Sequence, residues 1–202
     1  RKIARDVEYS FVQGEYQKAT SASVANKTRG MLELTQSDSG ATIVASTTTG
    51  SGETATTTYN PLTTDMIKQL FLMMADNGAY FDNMVLFCGS YQKQAITALY
   101  ESQLGYNKGA ERNVGGMNVT EIENDFCKLG IVWDRFVPAD TILVADLAHV
   151  YPVFQAVPGK GVLFEEPLAK VGASDRIQLY GQIGLAHGPA FLHGSITGLK
   201  HE

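Results

Sequence analysis

The longest period-two run in the chain is Ile177, Leu179, Gly181, Ile183 and Leu185, with Gln178 and Gln182 among the residues between them. An extended backbone sends successive side chains to opposite faces, so this alternation predicts one long strand. The start of the chain obeys a different period. Ile3, Val7 and Phe11 recur at i, i+4 and i+8, while Arg1, Lys2, Arg5, Asp6 and Glu8 fill the other faces. That spacing predicts an amphipathic helix running to about Gln17. Both periods in one chain place it in the α+β class. The helical pattern is already under way at Arg1, without a cap, which sets the expectation of further sequence upstream.

The middle of the chain is read the same way. Ser37 to Asn60 is dominated by Thr, Ser, Gly and Ala, including Thr47-Thr48-Thr49-Gly50-Ser51-Gly52, and predicts an exposed loop or flexible hairpin. Asn60-Pro61 precedes Thr63 and Thr64, either of which can cap a helix with Ile67, Leu70, Phe71 and Met74 on its apolar face; Asn77-Gly78 closes it. Met84 to Cys88 is a continuous apolar run that fits a strand buried on both faces. Ser90 caps a third helix with Ile96, Leu99 and Tyr100 inward, fading near Gly105. From Gly115 the period returns to two. Met117 and Val119, then Leu129, Ile131 and Trp133, then Ile142 and Val144 mark strands, with Pro138-Ala139-Asp140 as a turn and Thr141 to Ala145 apolar enough to lie centrally. There is no internal repeat.

At 202 residues there is enough chain for a proper hydrophobic core. The net charge of −5 and the lack of any Lys/Arg run argue against a nucleic-acid reader. Charged residues make up 18%, below the usual ~25%, which fits a surface partly covered by neighbours. Cys88 and Cys127 sit in apolar surroundings without metal-ligand spacing and read as small buried hydrophobes. No apolar run reaches the roughly 18 residues a membrane span needs.

Candidates for chemistry are few. His187 and His193 flank Gly188 to Leu192, with no Asp, Glu or Cys at a partner spacing that would make a metal site. His149 could pair with Asp146 as acid and base, but no nucleophile accompanies them, and a partly buried turn histidine is the simpler reading. Glu165-Glu166 and Glu121-Ile122-Glu123 bring carboxylates close in sequence, which says little about opposition across a substrate. Gly50-Ser51-Gly52 and Gly159-Lys160-Gly161 fit no phosphate-binding pattern. Asn26-Lys27-Thr28 and Asn118-Val119-Thr120 match the glycosylation acceptor, which matters only in a secreted protein. The chain reads as a non-enzyme with no catalytic residue, no cofactor and no metal.

Several segments resemble one family of tailed-phage and prophage major capsid proteins with the Hong Kong 97-type fold. They are Ile3 to Tyr9, Thr28 to Leu32, Val119 to Phe126, Pro138 to Val144, Glu166 to Gly172 and His193 to Gly198, in the family's order along nearly the whole chain. The resemblance implies a spine helix and elongated sheet forming a peripheral domain, plus a compact α/β axial domain. On that reading, residues 1–29 are the end of the spine helix, 30–154 the axial domain, 155–185 the return strand through the peripheral domain, and 186–202 the C-terminal segment of the axial domain. The family's N-terminal arm and extended loop have no counterpart here, so the chain is expected to fold without necessarily assembling. No crosslinking residues are carried over.

The function implied is a structural coat protein that self-assembles, through pentamers and hexamers, into the icosahedral head of a tailed phage or prophage. Expected partners are copies of itself, scaffold, protease and portal proteins, and nonspecifically packaged DNA, with no membrane. The expected location is the virion capsid, reached from the host bacterial cytoplasm. The alternative is the shell of a bacterial nanocompartment, which uses the same fold. A lesser alternative is a small hydrolase or ligand-binding domain using His149, His187 or His193.

Overall fold

The computed structural model describes residues 2–21, 23–36, 40–50, 55–103 and 119–202. Its elements run α1 (Lys2–Gln13), α2 (Met31–Gln36), β1 (Ala41–Val44), β2 (Thr47–Thr49), β3 (Thr56–Thr58), α3 (Thr64–Asp76), β4 (Met84–Cys88), α4 (Ser90–Gln103), β5 (Glu121–Glu123), β6 (Lys128–Trp133), β7 (Ile142–Asp146), β8 (Tyr151–Gln155), β9 (Leu163–Val171), β10 (Ser174–Ala186) and β11 (Gly194–Thr197). A single 3-10 turn, Ala190–Leu192, precedes β11.

Six strands form a mixed sheet in the order β1-β11-β7-β4-β6-β5. β7 lies between β11 and β4, and all five of its residues are buried. Its two faces feed two cores. Ile142 and Val144 join Ile67, Leu70, Phe71 and Met74 of α3, Leu86 of β4 and Ile96 of α4. Leu143 and Ala145 join Val12 of α1, Met31, Leu32 and Leu34 of α2, and Val137. A sheet covered on both faces favours strands apolar at every position, which is why the alternation fades at β7. Each fully buried Leu or Ile contributes about 1.5–3 kcal/mol relative to exposure.

The helix around α3 forms as its ends dictate. Thr63 is extended and its side chain accepts from the Met66 N–H at 3.3 Å, satisfying one of the donors a helix start leaves open. At the other end Gly78 takes φ +90, the left-handed conformation in which glycine ends helices cheaply.

The remaining long strands make a second sheet in the order β8-β10-β9. β10 spans 13 residues, as the alternation predicted. Its halves have different neighbours: Gln182 to Ala186 pair with β8, while Ser174 to Gly181 pair with β9. The β9–β10 hairpin is therefore a two-stranded ribbon reaching away from the rest of β10. A third, smaller sheet is the threonine hairpin β2–β3, exposed throughout.

Three expectations need correction. α1 ends at Gln13, not about Gln17: the Gly14 N–H closes on Ser10 O at 3.0 Å, and the chain then leaves the helix to bring Gln17 opposite Lys27. The described residues between 14 and 29 are thus not helical. Within the stretch read as an exposed loop or flexible hairpin, Ala41–Val44 forms β1, paired in parallel with β11. Trp133 continues the Leu129, Ile131 alternation but is exposed, its end of β6 lying beyond the last β5 register pair at Gly130. Tyr151–Gln155 forms β8 and pairs with β10. The expected fading near Gly105, Met117, Asn118 and the Ser51-Gly52 pair lie outside the described residues.

Candidate functional site at the junction of the sheets

The titratable groups weighed in the sequence meet where the chain passes from one sheet to the other. His193 has no exposed surface. Its Nδ1 accepts the Asp146 backbone N–H at 3.2 Å, and its Nε2 lies 2.6 Å from the His187 carbonyl, to which it donates as the neutral ring. Burial, the largest influence, holds its pKa below the usual histidine value, against the pull of the His187 carbonyl and of Asp146. A ring with both nitrogens engaged is a structural tie with neither nitrogen left for a substrate.

Asp146 is also fully buried. Its carboxylate accepts from three backbone N–H groups: Asp82 at 3.2 Å, Asn83 at 3.1 Å and Ala148 at 3.0 Å. This accounts for the charge and leaves Asp146 as the cap of two turns. His149 is not its acid–base partner. The His149 Nε2 points instead at Asp82 Oδ2, 3.7 Å away. Donor atoms of Asp82, Asp146 and His149 lie within 4.8 Å of one another, yet a cation there would compete with three backbone N–H groups already bound to Asp146. Asp82 escaped the sequence reading. Its signal was its place in the turn just before the apolar run at Met84.

The other candidates stay apart. His187 turns its Nδ1 to the neighbouring Gly188 carbonyl at 2.8 Å. Glu165 and Glu166 are successive residues of β9 and so face opposite sides of the ribbon; Glu166 pairs with Lys160 at 2.6 Å. Glu121 and Glu123 share one exposed side of the edge strand β5, and Glu121 pairs with Lys128 at 2.6 Å. Both cysteines are free, with burial as the leading cause pushing each thiol up to about 11. Gly159-Lys160-Gly161 is a tight turn closed by the Val157 N–H to Gly161 O bond at 2.9 Å. In the first glycosylation-like triplet, Asn26 Oδ1 accepts from Ala19 N–H and Thr28 Oγ1 from Leu185 N–H.

The clefts offer no better centre. One of about 600 Å³ lies between α1 and Ile183, and one of about 690 Å³ between residues 24–28 and β10. A third, of about 380 Å³, lies between α3 and the turn after β5. None of these three is lined by a histidine or a cysteine. Among the described residues no helix is long and apolar enough to cross a membrane.

What does stand out is a face. The register places Ile177 opposite Pro167, Gly181 opposite Leu163 and Ile183 opposite Phe154, all on one side of the second sheet. Ile177 is 67% exposed, Leu163 55% and Phe154 51%. Contiguous apolar exposure of this kind marks contact with something else.

A family model described as SU10 major capsid protein matches residues 1–200. The chain belongs to that family. No curated protein matches it. Among solved structures, this capsid-family chain is similar to the satellite phage P4 procapsid including size determination (Sid) protein, at a TM-score of 0.55 and 11% identity. That match covers 98% of this chain and 61% of the other. It is also similar to the holo-SrpI encapsulin complex from Synechococcus elongatus PCC 7942, at a TM-score of 0.53 and 11% identity, covering 85% of this chain and 57% of that one. The chain thus spans about three fifths of the length of these structural relatives. At such identity the likeness speaks to fold, and the fold is the Hong Kong 97-like shell fold expected from the sequence.

Proposed function

We propose that this chain is the structural coat subunit of a tailed phage or prophage head, assembling with copies of itself through pentamers and hexamers into an icosahedral shell. The family match over residues 1–200 carries the reading. The exposed apolar face of the second sheet and the low charge content support it, because a shell subunit works through repeated contacts between copies. Its role is structural, with the buried histidine and carboxylate serving the fold. The six-stranded sheet with its helices corresponds to the axial domain, and α1 with β8, β9 and β10 to the peripheral domain. Scaffold, protease and portal proteins and packaged DNA are its expected partners, and the virion capsid, filled from the host cytoplasm, its location.

The nanocompartment shell is the second reading, favoured by the similarity to an encapsulin complex. Enzyme cargo copurifying with the shell supports it; DNA-filled particles support the phage head.

The deciding experiment is negative-stain electron microscopy of the purified protein. Closed shells of uniform diameter are expected. Monomers alone, even when the products of neighbouring genes are coexpressed, overturn the proposal.

A further inference from the structure

Both passages between the two sheets run through one cluster. Outbound, β7 ends at Asp146 and residues 147–150 lead into β8; on the return, β10 ends at Ala186 and residues 187–193 lead into β11. The two passages touch, since a Cβ built on Gly188 would lie 3.1 Å from the His149 Cβ. His193 bonds one to the other, accepting from Asp146 N–H with Nδ1 and donating to the His187 carbonyl with Nε2. Asp146 extends the tie to the turn before β4 through Asp82 and Asn83.

We propose that His193 is a proton-operated latch on the hinge between the six-stranded and three-stranded sheets. The neutral ring locks the two passages together. The imidazolium has two donors and no acceptor, so a proton on Nδ1 removes the bond from Asp146 N–H and sets two N–H groups against each other. The bond to His187 survives, and the latch opens on the Asp146 side.

The groups facing the ring set the direction. From β7 comes the Asp146 carboxylate, which favours the cation; from the intervening turns come His149 and His187, which disfavour it. Asp82 reaches the cluster through its N–H bond to Asp146 and its approach to His149. β1 meets His193 through the backbone, Ala41 N–H to His193 O at 3.3 Å, and α3 reaches the adjacent Gly194 with Leu70 and Met74. Burial outweighs the Asp146 attraction, so the closed form binds its proton less readily than an open, hydrated one. The latch is therefore fully closed above the ordinary histidine value of 6.5 and weakens as pH falls below it, towards the closed form's own lower value. His149 faces Asp82 from the outbound passage, so the two histidines can be substituted separately.

The test is hydrogen exchange of the 202-residue chain followed by mass spectrometry from about pH 7.5 to about pH 5, corrected for intrinsic rates. Opening of residues 146–152 and 186–193 should rise by up to about tenfold per pH unit below 6.5, with β4 and the rest of β7 unchanged. His193→Asn, which keeps an acceptor near the Nδ1 position but cannot titrate, should flatten that response. His149→Asn should leave it intact. A flat response in the unaltered chain overturns the proposal, as does one that follows His149 instead. Should His193→Asn fail to fold, the ring proton resonance of His193 in the unaltered chain decides. Its titration midpoint must coincide with the opening midpoint, and a ring that stays neutral through opening refutes the latch.

Discussion

Gly30 donates its N–H to Gly14 O at 2.7 Å, and a Cβ on Gly30 would sit 2.4 Å from Gly14 N and 2.9 Å from Val12 O. Backbone cannot give way as a flexible side chain can. Gly30→Ala should therefore cost about 1–3 kcal/mol, lowering the melting temperature in scanning calorimetry by about 2–4 °C per kcal/mol. An unchanged melting temperature would show that the approach is looser than its geometry. The two thiols make a separate residue-scale expectation. With both pushed up to about 11 by burial, Cys88 and Cys127 are almost wholly protonated at neutral pH. A thiol reagent should label them slowly in the native chain and rapidly after unfolding. The burial of Cys88 was legible from the apolar residues around it, whereas Cys127 is only half-buried. The partner of Asp146 was not legible. Sequence proximity suggested His149, whereas antiparallel pairing of β11 with β7 delivers His193 from the far end of the chain. Local spacing cannot report a contact made by sheet register.

At the scale of elements, legibility followed the strength of local signals. α3 carries a cap, an apolar face and a terminating Asn-Gly, and it lies where those predict. Thr63→Ala should remove about 1 kcal/mol by orphaning the Met66 N–H, while Thr63→Ser should keep most of it; urea unfolding midpoints of the two variants make the comparison. β1 shows the opposite case. Its four residues sit in a Thr/Ser/Gly/Ala stretch too poor in apolar surface to announce a strand, and it is ordered by β11 on one side and by its approach to α2 and α3. Tertiary pairing overrides weak propensity there. The end of α1 was misplaced for a related reason. The apolar spacing ends at Phe11, the polar residues after it are compatible with more helix, and the stop comes from Gly14 packing against Thr28 and Gly30.

Across the whole molecule, the contrast between β7 and the β9–β10 ribbon governs how stability is spread. β7 is buried on both faces and bonded on both edges. From Ser174 to Gly181, β10 has β9 as its one neighbour and exposes both faces. A two-stranded ribbon without a covering layer is only marginally stable in water, and segments with few buried apolar contacts open most easily. In the isolated chain, amides of β4 and β7 should therefore exchange slowest, and those pairing β9 with β10 much faster. If the chain is a coat subunit, the ribbon's apolar residues, Leu163, Leu179 and Ile177 among them, meet neighbouring copies in the shell. Hydrogen exchange on assembled particles should then show the β9–β10 amides gaining protection while β7 stays as it was. Equal protection of the ribbon in free and assembled chains would mean that this face is not what the shell covers.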